Sequence, residues 1–344
     1  MNKIVALSKG WLMKAQDFSQ FNPENYVLPL KGHVYCKVLF HEVFLPVLKE
    51  RFPEVLPRLS AGVIGLGSDV LGADDELSRD HDWGPSKCQL LLSEQDIAAY
   101  GSSISQALEA AIPDTFLGIE TATLQPKTIR ISTIDAVYRD FHESAHPPVT
   151  IEEWAAADDN DLCYASSGFV LYDPSNALSE RISAFQKTYY PADIWKWKIA
   201  SDLWGLWHNG DYNSCYRLAK RGDSIGLLIG QGTFVEGTLR LLCLLNKRFP
   251  VYWKWLHWQA QSLPKWIDMI EPSLKKLESA NNDETRSEII YTICQSIREI
   301  LYKMDLLPDT EWRNYMGSEE VALQIESTQV KALIREREPH LYVW

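Results

Sequence analysis

The sequence lacks closely spaced cysteine pairs. Its 344 residues include six cysteines, and no two of them form a C-x-x-C motif: Cys36, Cys88, Cys163, Cys215, Cys243 and Cys294. Such wide spacing is typical of reduced thiols in a cytosolic protein and not of a disulfide framework. We therefore predict free, mostly buried cysteines.

The sequence also lacks a long hydrophobic run. Residues 1–10 contain no apolar core of the kind that signal peptides have, and no run approaches the roughly 18 apolar residues that span a membrane. These two absences predict a cytoplasmic protein without a membrane partner.

Basic residues are outnumbered by acidic ones. The chain has 34 Lys and Arg against 46 Asp and Glu, which gives a formal net charge of -12. A general nucleic-acid binder needs a basic surface, so nucleic acid is not an expected partner, although a small basic groove stays compatible with this balance. A template-independent polymerase acting on RNA ends is disfavoured for the same reason.

The chain is long enough for two domains, and its hydrophobic content of 46% is ordinary for a globular protein. Up to residue 145 the pattern predicts a small mixed α/β unit in which Ser93 caps a helix. We expect helices over 1–20, 34–52 (kinked or split at Pro46), 94–111 and 135–141, with strands over 61–66, 80–92 and 128–134.

The second half begins at a predicted break. Pro147-Pro148 interrupts the pattern, and Thr150 opens a new helix. Beyond Tyr190-Pro191 the pattern is almost entirely helical, with helices expected over 192–208, 212–222, 225–247, 251–261, 265–279, 284–304 and 317–336. The predicted organisation is therefore an α/β domain over residues 1–145 and an all-α helical bundle over residues 146–344.

The most informative stretch is GLGSDVLGADDELSRDHDWGP, from Gly65 to Pro85. Gly67-Ser68 follows an apolar strand, and such a turn offers backbone N–H groups and a hydroxyl to an anion. Asp80 and Asp82 are expected to face the same way on a strand, because side chains alternate with period two. Two such carboxylates can bind a divalent cation and leave room for phosphates. The stretch therefore predicts a metal-dependent nucleotidyl-transfer site.

This stretch resembles the nucleotidyltransferase superfamily of the polymerase-beta type, whose members carry a G-S turn, a spacer of roughly ten residues and a D-x-D strand. It is more similar still to a bacterial group known mostly as a domain of unknown function. That group also carries a second stretch, which here is NKRFPVYWKW, from Asn246 to Trp255. The resemblance implies a nucleotidyltransferase-like α/β (α+β) domain with a mixed sheet, followed by a helical domain as in antibiotic nucleotidyltransferases.

The resemblance implies Mg²⁺ or Mn²⁺ as the cofactor and a nucleoside triphosphate, with ATP as the first choice, as the substrate. Asp80 and Asp82 would bind two metal ions, which stabilise the entering and departing oxygens. Gly67 and Ser68 would hold the terminal phosphates. His81 and Trp83 are expected on the opposite face of the strand, with His81 in a core or supporting role.

Other acids of this stretch and beyond it are weaker candidates for binding the metal than Asp80 and Asp82. Asp74, Asp75 and Glu76 are predicted to be surface acids, with Asp75 able to orient the spacer loop. A third metal-binding carboxylate is not evident, because the strand over 128–134 contains no acid. Asp135, Glu120 or no residue would take that place, and Arg130 could contact a phosphate.

The helical half contributes further candidates. Arg221, together with Arg217, Lys220 and Asp223, could close over the triphosphate or be a charged helix end on the surface. Lys254, among several tryptophans, could contact the nucleotide or lie over an aromatic surface. The tryptophans themselves are expected mainly in the core, and Glu236 is a candidate base on the acceptor side.

Two functions of different classes follow. One is an enzyme that moves an NMP group, AMP as the first choice, to a hydroxyl of a small molecule or to a side chain of a protein. The other is a non-catalytic NTP-binding regulator that uses the same pocket, and the missing third acid favours it slightly.

Overall fold

The computed structural model describes residues 30–124, 128–311 and 314–342. The helix predicted over 1–20 lies outside these residues. Helix α1 (Gly32–Leu39) and helix α2 (Leu45–Arg51) are joined by a π-helical turn, Phe40–Phe44. Pro46 has no N–H to donate, and the widened turn precedes it without breaking the helix. The predicted irregularity at Pro46 is therefore a local widening of one helix.

The first half then supplies three of the four strands of a small mixed sheet. The elements of this half, in chain order, are β1 (Ser60–Val63), α3 (Ser68–Leu71), β2 (Gln89–Leu91), α4 (Glu94–Ala111), β3 (Thr115–Phe116), β4 (Ile119–Glu120), β5 (Ile131–Ser132) and α5 (Ile134–His142). The Ser93 hydroxyl accepts a hydrogen bond from the Asp96 N–H, which confirms the predicted cap of α4. The strand predicted over 128–134 is confirmed only at its centre.

The strand predicted over 80–92 is wrong in its first two thirds. Residues Glu76–Arg79 and Pro85–Lys87 form short 3-10 turns, and Asp80 and Asp82 lie in the loop between them. Asp82 has a positive φ of 47°, and Gly84 has a φ of 93°. These left-handed residues bend the chain, so the alternation of a strand does not apply to Asp80 and Asp82.

The second half of the chain supplies an edge strand to this sheet. After α6 (Ile151–Ala156) and α7 (Asp159–Ala165), strand β6 (Phe169–Tyr172) pairs antiparallel with β1. The strand order is β5-β2-β1-β6, with β2 antiparallel to β1 and parallel to β5. The sheet therefore includes residues on both sides of the predicted division at residue 145, and that division stays a prediction.

The remaining chain is helical, as predicted beyond Tyr190-Pro191. Its helices are α8 (Ala177–Lys187), α9 (Ala192–Leu206), α10 (Ala219–Arg221), α11 (Ser224–Leu245), α12 (Trp253–Gln261), α13 (Ile267–Ser279), α14 (Asp283–Lys303), α15 (Ser318–Leu323) and α16 (Thr328–Arg337). A π-helical segment, Trp207–Leu218, joins α9 to α10 where a break was expected. Helix α9 packs against α11 and α15, so the protein has an α+β part followed by helices.

Burial agrees with the composition. All six cysteines are free, and five of them are buried, which confirms that prediction. In the helical half Trp197 is buried, while Trp253 is 64% exposed. Six further tryptophans of this half are partly buried and pack against the core, so the expectation that these residues are mainly core residues is confirmed in part.

One helix among the described residues, α11, is long and apolar enough to cross a membrane, and half of it is buried inside the protein. A core helix meets the same criteria of length and composition, so this helix is weak evidence for a membrane span.

Candidate functional site

Four strand ends lie side by side at one end of the sheet, the end that carries the Gly67 turn. This end of the strands is called the sheet edge below. Because β1 and β2 are antiparallel, the end of β1 lies beside the start of β2. The starts of β5 and β6 lie at the same edge, since β5 is parallel to β2 and β6 is antiparallel to β1. The Gly67 turn leaves β1 at this edge, and the loop with Asp80 and Asp82 and the segment with Arg130 lead into β2 and β5 at the same edge.

The turn at Gly67 accepts only glycine. Its backbone has φ 138° and ψ 154°, a conformation that other residues rarely adopt. A Cβ at this position would overlap Asp69 Oδ1 and would lie 2.7 Å from Lys87 Nζ. Ser68 is half-buried at the start of the four-residue helix α3. The groups that require a glycine here are the protein's own Asp69 and Lys87 side chains, and the approach of a phosphate to this backbone stays a prediction.

Lys87 and Asp69 form an ion pair behind the turn that the sequence reasoning missed. Lys87 Nζ lies 3.5 Å from Asp69 Oδ1, and it donates a hydrogen bond of 2.8 Å to the Leu66 carbonyl oxygen. Their side chains are 13% and 2% exposed. The signal that could have revealed Lys87 was a lone basic residue just before the strand that pairs with β1.

The pKa of Asp69 is raised to about 6, chiefly because burial disfavours its charged form. Lys87 opposes this rise, and the buried Asp74 adds to it. One oxygen of Asp69, Oδ2, has no hydrogen-bond partner. The turn therefore contains a carboxylate whose charge Lys87 balances only in part.

Asp80 and Asp82 are exposed on their loop and share one neighbour, His81. Their side chains are 67% and 69% exposed. His81 Nε2 lies 3.8 Å from Asp80 Oδ2, and His81 Nδ1 lies 3.7 Å from Asp82 Oδ2. The prediction that His81 points away from both aspartates into the core is wrong, because the bent loop places all three side chains in solvent together.

Asp74 is fully buried, so its prediction as a surface acid is wrong. Its Oδ2 accepts hydrogen bonds from the Gly32 N–H at 2.6 Å and from Trp83 Nε1 at 3.0 Å. Trp83 is 1% exposed and packs in the core, with Arg79 over its ring. Asp74 and Trp83 thereby fix both ends of the loop that carries Asp80.

Asp75 has the loop-orienting role that was expected of it. Its Oδ1 accepts a hydrogen bond from the Ser78 N–H at 3.1 Å, and Ser78 Oγ accepts one from the Asp75 N–H at 3.2 Å. This reciprocal pair caps the turn Glu76–Arg79. Both Asp75 and Glu76 are exposed, as predicted.

Neither candidate for a third metal-binding acid, Asp135 or Glu120, is placed to bind a metal together with Asp80 and Asp82. Asp135 Oδ1 lies 2.7 Å from Arg181 Nη2, and Asp135 Oδ2 lies 3.6 Å from Arg139 Nη2. The hydrogen bond from Arg181 lowers the pKa of Asp135, against the effect of burial. Glu120 is exposed in β4, in the separate two-stranded sheet with β3.

Arg130 precedes β5 and is exposed, and its guanidinium lies 3.4 Å from Asp140 Oδ2 on α5. Arg130 therefore lies at the same sheet edge as the Gly67 turn, and its side chain is directed to the exposed acid Asp140. An exposed pair of this kind is weak and can be replaced by a stronger anion.

Tyr164, on α7, joins the helical half to the glycine turn. It is 6% exposed, and burial raises its pKa above the usual range, while the nearby Gly67 backbone opposes this rise. On the same helix, Asn160 Oδ1 accepts a hydrogen bond of 2.8 Å from the Tyr252 N–H. Tyr252 and Trp253 are 46% and 64% exposed. An exposed aromatic pair is thus anchored to the helix that contacts Gly67.

The remaining predicted residues of the helical half lie on the surface. Arg221 is exposed at the end of α10, and the Asp223 side chain caps α11 by accepting from the Gly226 N–H at 2.9 Å. Lys254 is exposed with its Nζ 5.2 Å from the centre of the Trp255 ring, and Glu236 is exposed on α11. The aromatic rings of Tyr212 and Tyr216 contact Arg217 and Lys220.

The donor set at the sheet edge suits Mg²⁺ that is shared with a substrate. Among residues 30–124, 128–311 and 314–342, no group of three or more His, Cys, Asp or Glu side chains could hold a metal by itself. Mg²⁺ commonly takes one or two carboxylates from the protein and completes its shell with phosphate oxygens and water. Asp80 and Asp82, two exposed carboxylates that both contact His81, are the donors that this loop offers.

Comparison with known proteins gives one match. A model of the family described as "Domain of unknown function (DUF4037)" matches residues 154–256. The match includes the stretch from Asn246 to Trp255 and helix α7 with Tyr164. No curated protein and no solved structure matches the chain. Over the matched segment the chain is similar to an uncharacterised family, whose description names no activity.

Proposed function

We propose that the protein is a Mg²⁺-dependent nucleotidyltransferase that moves an NMP group, AMP from ATP as the first choice, to a hydroxyl of a small molecule or to a side chain of a protein. The observation that carries the proposal is the glycine-only turn at Gly67. It lies against the Lys87 ammonium group, at the same sheet edge as the exposed carboxylates Asp80 and Asp82.

Gly67, Ser68 and Lys87 would bind the triphosphate. Glycine lets a phosphate approach the backbone, and the Ser68 hydroxyl lies next in the chain. Lys87 supplies a positive charge that Asp69 balances only in part. A phosphate at the turn would compete with the Asp69 carboxylate for the ammonium group, so binding would increase protonation of Asp69.

Asp80 and Asp82 would hold Mg²⁺ together with the phosphate oxygens. The ion would supply charge stabilisation to the entering and departing oxygens. The support of the loop favours this role, because the hydrogen bond between buried Asp74 and Trp83 joins its two ends and the Asp75–Ser78 cap fixes the turn after Asp74. The two carboxylates are therefore exposed on a loop with fixed ends.

The helical half would position the acceptor against the triphosphate. Tyr164 touches the Gly67 backbone, and helix α7 anchors the segment with the exposed Tyr252 and Trp253. These rings could stack on a base or an acceptor. Orientation of two reactants is the part of such a transfer that a second structural unit can supply.

One observation favours a second function, a non-catalytic NTP-binding regulator. Asp135 is paired with Arg181 and Arg139, and Glu120 lies in a different sheet, so neither offers a base to the acceptor. A protein with this site could bind nucleotide and transfer it slowly or not at all.

A pyrophosphate-release assay separates the two functions. The full chain is incubated with each of four NTPs carrying a label on the α-phosphate, with Mg²⁺ or Mn²⁺, and with cell extract as a source of acceptor. The enzyme releases pyrophosphate and attaches label to a product, and the Asp80→Asn/Asp82→Asn double variant does neither. Stoichiometric NTP binding without labelled product supports the regulator. Absence of NTP binding overturns both functions.

A further inference from the structure

A second polar cavity lies inside the helical half, away from the sheet edge. It has a volume of about 220 Å³ and is lined by α6, α7, α9, α11 and the end of α16. Its charged lining residues are Asp159, Lys198, Asp202, Arg240, Arg337 and Glu338. Nothing in the proposed nucleotidyl transfer uses this cavity.

Two of the three positive groups of the cavity, Lys198 and Arg240, are engaged by one acid, Asp159. The third, Arg337, donates a hydrogen bond of 2.8 Å to the Ala155 carbonyl oxygen. Asp159 Oδ1 accepts hydrogen bonds from Lys198 Nζ at 2.7 Å and from the Tyr190 hydroxyl, and its Oδ2 accepts from Arg240 at 2.5 Å. Burial acts to raise the pKa of Asp159, but Lys198 and Arg240 outweigh it and keep the pKa low. Asp159 is therefore ionised and saturated with donors.

Two other carboxylates of the cavity each have one buried oxygen without a hydrogen-bond donor. The Oδ2 atom of Asp202 and the Oε2 atom of Glu338 are both shielded from solvent, and neither has a hydrogen-bond partner. The imidazole nitrogen Nε2 of His340 lies 4.0 Å from Glu338 Oε2, which is beyond hydrogen-bond distance. Buried acceptors without donors cost about 1–3 kcal/mol each, and more when charged.

The charged form of Asp202 is disfavoured by its surroundings. Burial raises its pKa to about 7, with Arg240 and Lys198 opposing the rise and Asp159 and Glu338 adding to it. These four side chains have the largest effect of the charged groups on the pKa of Asp202, and Arg337, at the end of α16, lines the same cavity. The cavity therefore has an unmet need for a positively charged donor beside Asp202.

We propose that this cavity binds a small molecule through a primary ammonium group, which donates to Asp202 Oδ2 and Glu338 Oε2. An ammonium group has three N–H donors and can serve two carboxylates at once. Among the described residues, no group of three or more His, Cys, Asp or Glu side chains here could hold a metal ion. The cavity is smaller than the roughly 300–1,000 Å³ of sites for drug-sized ligands, so the ligand is small.

The test measures binding to the full chain at pH 8 by calorimetry and by thermal unfolding. The probes are butylammonium and 1,4-diaminobutane, with 1-butanol as the neutral analogue, butyrate as the anionic one and KCl to match ionic strength. The ammonium probes should raise the Tm to a saturating value, and the analogues and the salt should not. Absence of binding by both ammonium probes, or equal binding by 1-butanol, overturns the proposal.

Variants assign the binding to the cavity. Asp202→Asn and Glu338→Gln should each weaken probe binding at least tenfold, whereas Glu336→Gln, a change to an exposed acid on α16, should leave it unchanged. Wild-type affinity should also fall as the pH drops below about 7, because protonated Asp202 no longer attracts a cation. Unchanged binding in Asp202→Asn overturns the assignment.

A stability measurement guards against a merely structural role. Without probe, Asp202→Asn should unfold at pH 8 at the same Tm as wild type or at a higher one, since it removes a buried charge without a partner. A large loss of Tm in this variant would show that the charge is already satisfied, and it would overturn the proposal. Neither outcome depends on nucleotidyl transfer, so the two proposals fail separately.

Discussion

Lys87 Nζ lies 3.5 Å from Asp69 Oδ1, and both atoms crowd the space where a Cβ of Gly67 would stand. The ammonium group also donates to the Leu66 carbonyl oxygen. One lysine thus holds the strand end, the glycine turn and a buried acid together. The stability of this edge of the sheet and its proposed affinity for phosphate depend on the same side chain.

Replacement of Lys87 by Met should destabilise the protein by about 2 kcal/mol at pH 7, because Asp69 is left buried without its cation. Asp69→Asn combined with Lys87→Met should recover part of this loss. Urea unfolding of the four members of this cycle measures the coupling between the two side chains. A loss in the double variant equal to the sum of the changes in the two single variants would show that Asp69 and Lys87 do not interact.

The raised pKa of Asp69 predicts a pH dependence of stability. The pKa in the folded state is about 6 against an ordinary value of 3.8, so the folded protein binds the proton more tightly than the unfolded chain. The contribution of Asp69 to stability is therefore favourable at low pH and is lost as the pH rises from about 4 to about 6. Relative to wild type, Asp69→Asn should gain up to about 3 kcal/mol between these pH values.

Urea midpoints at pH 4 and pH 7 check this, with Glu76→Gln as the control, because Glu76 is an exposed acid on the following turn. A wild-type-like pH profile in Asp69→Asn would contradict the assignment of the raised pKa to Asp69.

Asp80→Asn and Asp82→Asn should each weaken Mg²⁺-dependent ATP binding at least tenfold and should leave the thermal midpoint unchanged. Both side chains are more than half exposed, so little packing is lost. Calorimetry with Mg²⁺ and with EDTA measures the metal-dependent part. Unchanged Mg²⁺-dependent affinity in both variants would remove these residues from the site.

Gly67→Ala should abolish ATP binding and lower stability, because a Cβ meets Asp69 and Lys87 in a conformation that favours glycine. Gly118→Ala is the matched control, since Gly118 also has a positive φ of 76° but nothing lies within 4 Å of its Cβ position. The control should show only backbone strain, on the order of 1 kcal/mol. Equal losses of Tm in the two variants would mean that the Gly67 turn can hold a Cβ without a steric clash.

Asp135→Asn tests the third carboxylate. Its partner Arg181 is mostly buried, while Asp135 is 41% exposed, so solvent screening limits the expected loss of stability to about 1 kcal/mol. Mg²⁺-dependent ATP affinity should stay at the wild-type value, because this carboxylate is held by two arginines. A marked loss of metal-dependent affinity in this variant would make Asp135 the missing ligand.

Local signals in the sequence predicted a large part of this protein. The cap at Ser93, the helices beyond Tyr190-Pro191, the free cysteines and the turn cap at Asp75 all depend on residues a few positions apart. Caps and helical periodicity act over one or two turns, so they can be found without knowledge of the fold. The turn at Gly67 was also found locally, whereas the contact of Lys87 with it depends on the pairing of β2 with β1.

Tertiary structure decided the rest. Strand β6 joins β1 from more than a hundred residues away, Asp74 is buried because Trp83 and Gly32 reach it, and Lys87 meets Asp69 only when β2 pairs with β1. The bend that takes Asp80 and Asp82 off the strand follows from the burial of Trp83 in the core. Strand pairing and buried ion pairs join residues distant in sequence, and no local pattern records which distant partner will be present.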